Sequence, residues 1–291
     1  MGTFPLGSIR AQQNLRSYAS YPWSIHAQLL PYVEQTALFH SINFCWCPCS
    51  SGTASPINST ARFTRVKGFL CPSDGLAGAS GQNYSNSYYG SIGDSLTYGG
   101  TKTTGVFAAW DNYPTASIQN YKLASITDGT SNTIAFGEGL VGGASWSVKM
   151  HRNTINKSGI VAYVYDAEAA LSTVMGYLTN CSATAVQQSR KHPGGYNDKG
   201  DYWAWGYVGH TLFNTVVPPN STQYKWGGCG PHASNTATGL YINNATSNHA
   251  GGCNFLFADG SVHFLKSSIN QKTYMSLGTR ANGEVVSSES Y

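Results

Sequence analysis

Charged side chains make up only 10% of this 291-residue chain, well under half of the usual quarter. The 17 Lys and Arg against 13 Asp and Glu leave a formal charge of +4. The longest basic run is the pair Arg190-Lys191. Nucleic-acid binding needs a basic stripe or patch, and none exists here. Long apolar runs are missing as well: no stretch reaches the ~18 residues of a membrane helix. No secretory signal pattern opens the sequence. Local catalytic signatures are also absent. There is no G-x-S-x-G, no H-E-x-x-H and no C-x-x-C, and the eight histidines stand at no metal-ligand spacing from one another. These absences predict a protein that is not an enzyme and carries neither cofactor nor metal.

The sequence is rich in 33 Gly and 19 Tyr, with many Asn, Ser and Thr, and 41% of its residues are hydrophobic. That composition buries a real core and excludes disorder. A neutral surface of hydroxyls and amides suits an exported protein better than a cytosolic enzyme. Seven cysteines leave at least one thiol free or paired between chains. Cys45, Cys47 and Cys49 alternate, whereas zinc clusters space their cysteines by two to four residues. Disulfides or inert thiols are the expectation.

Apolar residues recur at helical spacing from Ser24 to Asn43, and Pro31 divides that stretch into two short helices. Strands are predicted at Arg65–Cys71, Val106–Trp110, Thr133–Phe136, Ser158–Tyr165 and 201–208. Residues 78–104 read as a long ordered loop. Asp166 caps a short helix to Met175, and a last helix covers Gln271–Leu277. Such a strand-rich order predicts an α+β fold of one domain, residues 1–291, with an antiparallel sheet.

The most structured stretch runs from Ser247 to Asn270. Asp259-Gly260 favours a two-residue type I′ turn. The register then pairs Phe257 with Val262, Phe255 with Phe264 and Cys253 with Lys266, and places these aromatics on one inward face. His249 precedes Asp259 by ten positions, and an extended chain separates them by roughly 30 Å. The pair is therefore structural, a turn at one end and a polar anchor at the other.

Three further motifs carry a bland and a sharper alternative. Gly137 to Gly142 matches G-x-G-x-x-G, but no helix start follows, so a glycine-rich loop is favoured over a dinucleotide site. Asp128 and Asn132, with Gly129 between, could hold calcium but offer too few carboxylates. Their side chains are expected to satisfy the turn backbone instead. Trp203, Trp205 and Tyr207 fall on one face of the strand at 201–208. They form either a sugar-stacking platform or the core side of a sheet.

Several segments together resemble one family. These are Leu29-Leu30-Pro31-Tyr32-Val33-Glu34-Gln35, Phe69 to Asp74, Ile126 to Ile134, Asn214 to Asn220, His249 to Gly260 and Gly283 to Val286. The chain is similar to bacterial prepilin-like proteins carrying domain of unknown function 1559, the prepilin-type processing-associated H-X9-DG domain. The family is also filed under the solute-binding label SBP_bac_10. The resemblance implies a pilin- or pseudopilin-like head, with an N-terminal helix packed on a mainly antiparallel sheet. It also implies display at the cell surface or in the periplasm, and pilin-like subunits or envelope components as partners. Family members begin with a prepilin leader and apolar helix. The expectation is that this anchor precedes Met1 in the full protein, and that membrane contact runs only through it. The alternative function is a carbohydrate- or solute-binding module using Trp203, Trp205 and Tyr207, with glycans as ligands. Export further predicts that Cys71 is oxidised, with Cys45, Cys47 or Cys49 as partner.

Overall fold

The computed structural model describes residues 2–9, 21–48, 56–79, 84–96, 102–108, 120–143, 147, 149–157, 164–191, 198–230 and 240–291. Two short antiparallel strands come first, β1 (Ser8–Ile9) and β2 (Trp23–Ser24). Ser24 then caps α1 (Ile25–Leu29), its Oγ accepting the Ala27 amide. Pro31 sits in the first turn of a 3₁₀ segment, Leu30–Val33, where its missing amide costs nothing. Glu34 ends that segment at φ 60°, and α2 (Thr36–His40) follows. The division at Pro31 is the expected one.

Downstream lie α3 (Ser59–Arg62), β3 (Tyr88–Ser91), β4 (Ile134–Glu138), β5 (Thr154–Asn156) and α4 (Leu171–Lys191). Then come β6 (Leu212–Phe213), β7 (Gly228–Gly230), β8 (Ile242–Asn243), β9 (Gly252–Phe257), β10 (Val262–Lys266) and α5 (Gln271–Ser276). The main sheet has the order β10-β9-β4-β3-β6 and is antiparallel except at β3–β6. A smaller sheet has the order β5-β7-β8. The described chain is thus a strand-rich mixed fold with few helices, none long and apolar enough to cross a membrane.

The hairpin forms, but its register differs from the expected one by one residue. Leu256 pairs with Val262, Phe255 with His263 and Cys253 with Leu265. Phe257 and Ser261 close a three-residue loop, with the Phe257 amide donating to Ser261 O at 2.8 Å and the Gly260 amide to Phe257 O at 3.0 Å. Only Gly260, at φ 92°, takes the left-handed conformation; Asp259 does not. A type I′ turn would force both residues there. Asp259 instead uses Oδ1 to accept the Ser261 amide and hydroxyl. The shift carries β10 to its other face: Leu265 is buried, while Val262 and Phe264 are 65% and 43% exposed. Cys253, Phe255, Phe257 and Leu265 pack with Tyr274 and Leu277 around α5.

Other expected elements are replaced for identifiable reasons. Residues 65–71 hold a 3₁₀ turn, Lys67–Phe69, because Gly68 and the following Pro72 disfavour a strand. Residues 78–104 contain β3, and 106–107 are bends. The strand expected at Ser158–Tyr165 and the end of that expected at Val106–Trp110 fall largely outside the described residues, although Val164 bridges Leu96. The short helix to Met175 is in fact the long α4. Its residues Leu171, Val174, Leu178, Cys181 and Ala185 recur at helical spacing and pack on the smaller sheet. Cys181 is disulfide-bonded to Cys229 of β7, closing a separation of 48 residues. Loop-closure entropy makes such a link worth about 4 kcal/mol.

Residues 201–208 make turns rather than a strand. Trp203, Trp205 and Tyr207 are all buried in an aromatic cluster with Trp23, Leu30 and Phe69. A buried indole needs an acceptor for its N–H. Here Trp203 Nε1 donates to Thr64 O at 2.9 Å and Trp205 Nε1 to Pro48 O at 2.8 Å. The Trp205 ring also stacks on Tyr202, with centroids 3.8 Å apart. Denaturant unfolding should show Trp203→Ala losing ~3–5 kcal/mol and Leu265→Ala ~2–5 kcal/mol. Phe264→Ala should cost about 1 kcal/mol or less. The opposite order for Leu265 and Phe264 would restore the two-residue turn.

Candidate functional site

Buried charge pins together segments that are far apart in sequence. Asp74 ends the turn after Cys71, its amide donating to Cys71 O at 3.0 Å. Its carboxylate is buried, with Oδ1 2.6 Å from Arg152 Nη2, while Oδ2 accepts the Val141 amide at 2.8 Å. Arg152 Nη1 returns to Val141 O at 2.6 Å. Lys199 is fully buried and donates from Nζ to Leu140 O at 3.1 Å, and its own carbonyl accepts the Gly142 amide. Thr246 Oγ1 accepts the Leu140 amide at 3.0 Å. The backbone of the glycine-rich stretch is therefore held by protein groups and has no free amides for a pyrophosphate. It is a packed loop, and Gly139 is needed because a Cβ there would lie 2.0 Å from the Tyr89 ring.

This clamp sets three chemically capable side chains beside one another. A sulfur of Cys71, a carboxylate oxygen of Glu138 and an imidazole nitrogen of His249 lie within 4.8 Å of each other. Glu138 ends β4 and is buried. Its Oε2 accepts the Asn254 amide at 2.8 Å, and its Oε1 accepts Asn254 Nδ2 at 3.1 Å. His249 Nε2 stands 3.2 Å from Glu138 Oε1 and 3.4 Å from Ser73 Oγ. Ser73 Oγ is 3.0 Å from Cys71 Sγ. Asn248 Nδ2 donates to Ser73 O at 2.7 Å, tying the two loops directly. Tyr88 lies beside the cluster, its phenol pushed up to about 12 first by burial and then by Cys71 and Glu138.

The arrangement does not resemble a nucleophile relay. A Cys-His-acid triad uses one ring nitrogen for the acid and the other for the nucleophile. Here Glu138 and the Ser73 hydroxyl both meet Nε2. Thiol, imidazole and carboxylate converge on one point instead, which is the donor set of borderline-soft metals.

Several expected site residues take other roles. His249 precedes β9 and Asp259 follows it, and the side-chain partner of His249 is Glu138. The two oxygens of Asp128 accept the Asn282 and Gly283 amides, both at 2.9 Å. Gly129 turns at φ 99°, and Asn132 accepts the Tyr291 hydroxyl. These side chains therefore hold the C-terminal segment, not the backbone of their own turn as expected. The aromatic platform of Trp203, Trp205 and Tyr207 is buried core and offers no ring to a sugar. The expected Cys71 disulfide does not form: Cys45 and Cys71 are thiols, and Cys47 is disulfide-bonded. Cys49 lies outside the described residues. Cys71 instead faces Ser73 and the Glu138–His249 pair. No local spacing joins these ligands, although Cys71 and His249 both fall in segments that carry the family resemblance.

Burial pushes the Lys199 amine down to about 7, with Asp74 opposing and Arg152 adding to the shift. The unfolded lysine titrates near 10.5, so between these values the unfolded chain binds the extra proton and stability rises with pH. The stability difference between wild type and Lys199→Met should climb across that window, approaching about 1.4 kcal/mol per pH unit. Denaturant midpoints measured from pH 7 to 10 check this, and a flat difference would refute it.

No curated protein and no solved structure matches the chain. The family model described as a protein of unknown function (DUF1559), SBP_bac_10, matches residues 1–272. With nearly its whole length matched, the chain belongs to the DUF1559 family of proteins of unknown function.

Proposed function

We propose that this chain is the exported head of a pilin- or pseudopilin-like envelope protein, non-enzymatic, and displayed to contact other pilin-like subunits or envelope components. The observation that carries the proposal is the Cys181–Cys229 bond, whose two cysteines are fully buried between α4 and β7. Structural disulfides of this kind persist in oxidising compartments and are rare in the cytosol. The scarcity of charge and the neutral polar surface agree with export. A contact role is supported by the outer face of the hairpin. There Val262 and Phe264 are exposed on the edge strand β10, beside a hollow of about 110 Å³ lined by Tyr88, Phe136 and Leu256. Paired apolar side chains on a sheet edge favour association. The sugar-binding alternative has lost the rings it depended on.

Fractionation of cells carrying the chromosomal gene with a C-terminal epitope tests the proposal. The protein should be in the envelope fraction, with Cys181 and Cys229 protected from alkylation without reductant and Cys71 modified after denaturation. Recovery from the cytosol with Cys181 and Cys229 alkylated would overturn it.

A further inference from the structure

We propose that Cys71, Glu138 and His249 bind a divalent metal ion of the zinc class. The site does not depend on where the protein resides. Two facts of geometry and one of donor chemistry carry it. The donor atoms come from three separate segments and converge within 4.8 Å. Thiolate, imidazole and carboxylate together suit zinc and its neighbours, while calcium and magnesium take oxygen donors. The 3.2 Å between His249 Nε2 and Glu138 Oε1 is close to the edge of a tetrahedron with bonds of about 2.0–2.1 Å.

The surroundings supply what a metal site needs beyond its ligands. Asn254 holds both oxygens of Glu138, one through its backbone amide and one through its side chain. Outer contacts of this kind orient first ligands and tune affinity. Ser73 Oγ lies near both the sulfur and the imidazole, at 3.0 and 3.4 Å, and adds an oxygen beside the three donors. The His249 side chain is 35% exposed and that of Glu138 only 7%, so an ion enters from the histidine side. Asp74, Val141 and Thr246 hold the three segments in place.

The test uses the purified chain with its disulfides closed, handled without oxygen so that Cys71 stays a thiol, and without added thiol that would compete for metal. Titration with Co²⁺ should fill a single site and produce a thiolate-to-cobalt charge-transfer band, which Zn²⁺ then removes. Cys71→Ser should abolish the band. Asn254→Ala should weaken Zn²⁺ binding about 10–100-fold, and His249→Ala should weaken it at least as much. His249 lies at the surface, so its variant remains folded, as circular dichroism would verify. Cys45→Ser, outside the cluster, should bind as wild type does. Absence of the band in wild type, its survival in Cys71→Ser, or its loss in Cys45→Ser would each overturn the site.

Discussion

The buried ion pair between Asp74 and Arg152 is the constraint on which the rest of this structure depends. Removing two charges from water costs several kcal/mol each, and attraction alone often fails to offset it. Here the cost is offset because the pair is also a backbone clamp. Asp74 accepts the Val141 amide while Arg152 donates to the Val141 carbonyl, so both polar groups of one buried residue are satisfied. Lys199 and Thr246 do the same for Leu140. A glycine-rich stretch without such partners would leave its amides unsatisfied in the interior.

That clamp gives the cluster of Cys71, Glu138 and His249 its geometry. Cys71 lies three residues before Asp74, Glu138 three before Val141 and His249 three after Thr246. Each donor is thus one short step from a residue held by buried charge or a buried hydroxyl. β4 and β9 complete the placement, since Glu138 ends one strand and is gripped by Asn254 of the other. The proposed contact face and the proposed metal site adjoin, because Glu138 and Asn254 also line the hollow beside the edge hairpin. Two of the donors, Cys71 and His249, come from loops, and the third ends β4.

Elements governed by local chemistry were legible from the residues. Pro31 marked the break between the first helices, the alternation in 252–266 marked a hairpin, and Asp128-Gly129 marked the turn before β4. The hairpin register was not legible, because Asp-Gly serves a two-residue and a three-residue loop alike. Only the packing of Leu265 rather than Phe264 distinguishes them. Alternating aromatics at 201–208 imitated a strand, although burying two indoles with acceptors requires turns. The longest helix was hidden because Ser, Thr, Asn and Gly dilute an apolar pattern that is nonetheless present from Leu171 to Ala185. The candidate site could not be seen locally, since its three donors meet only through the fold. Export alone points to a disulfide for Cys71, and nothing in its local sequence places it beside Glu138 and His249.

A double-mutant cycle of Asp74→Asn and Arg152→Met, read by denaturant unfolding, measures the clamp most directly. If the pair acts as one clamp, each single change is strongly destabilising and the double variant recovers much of the loss, with a coupling energy of about 2–3 kcal/mol. A coupling within about 0.5 kcal/mol of zero, the range of independent sites, would contradict it.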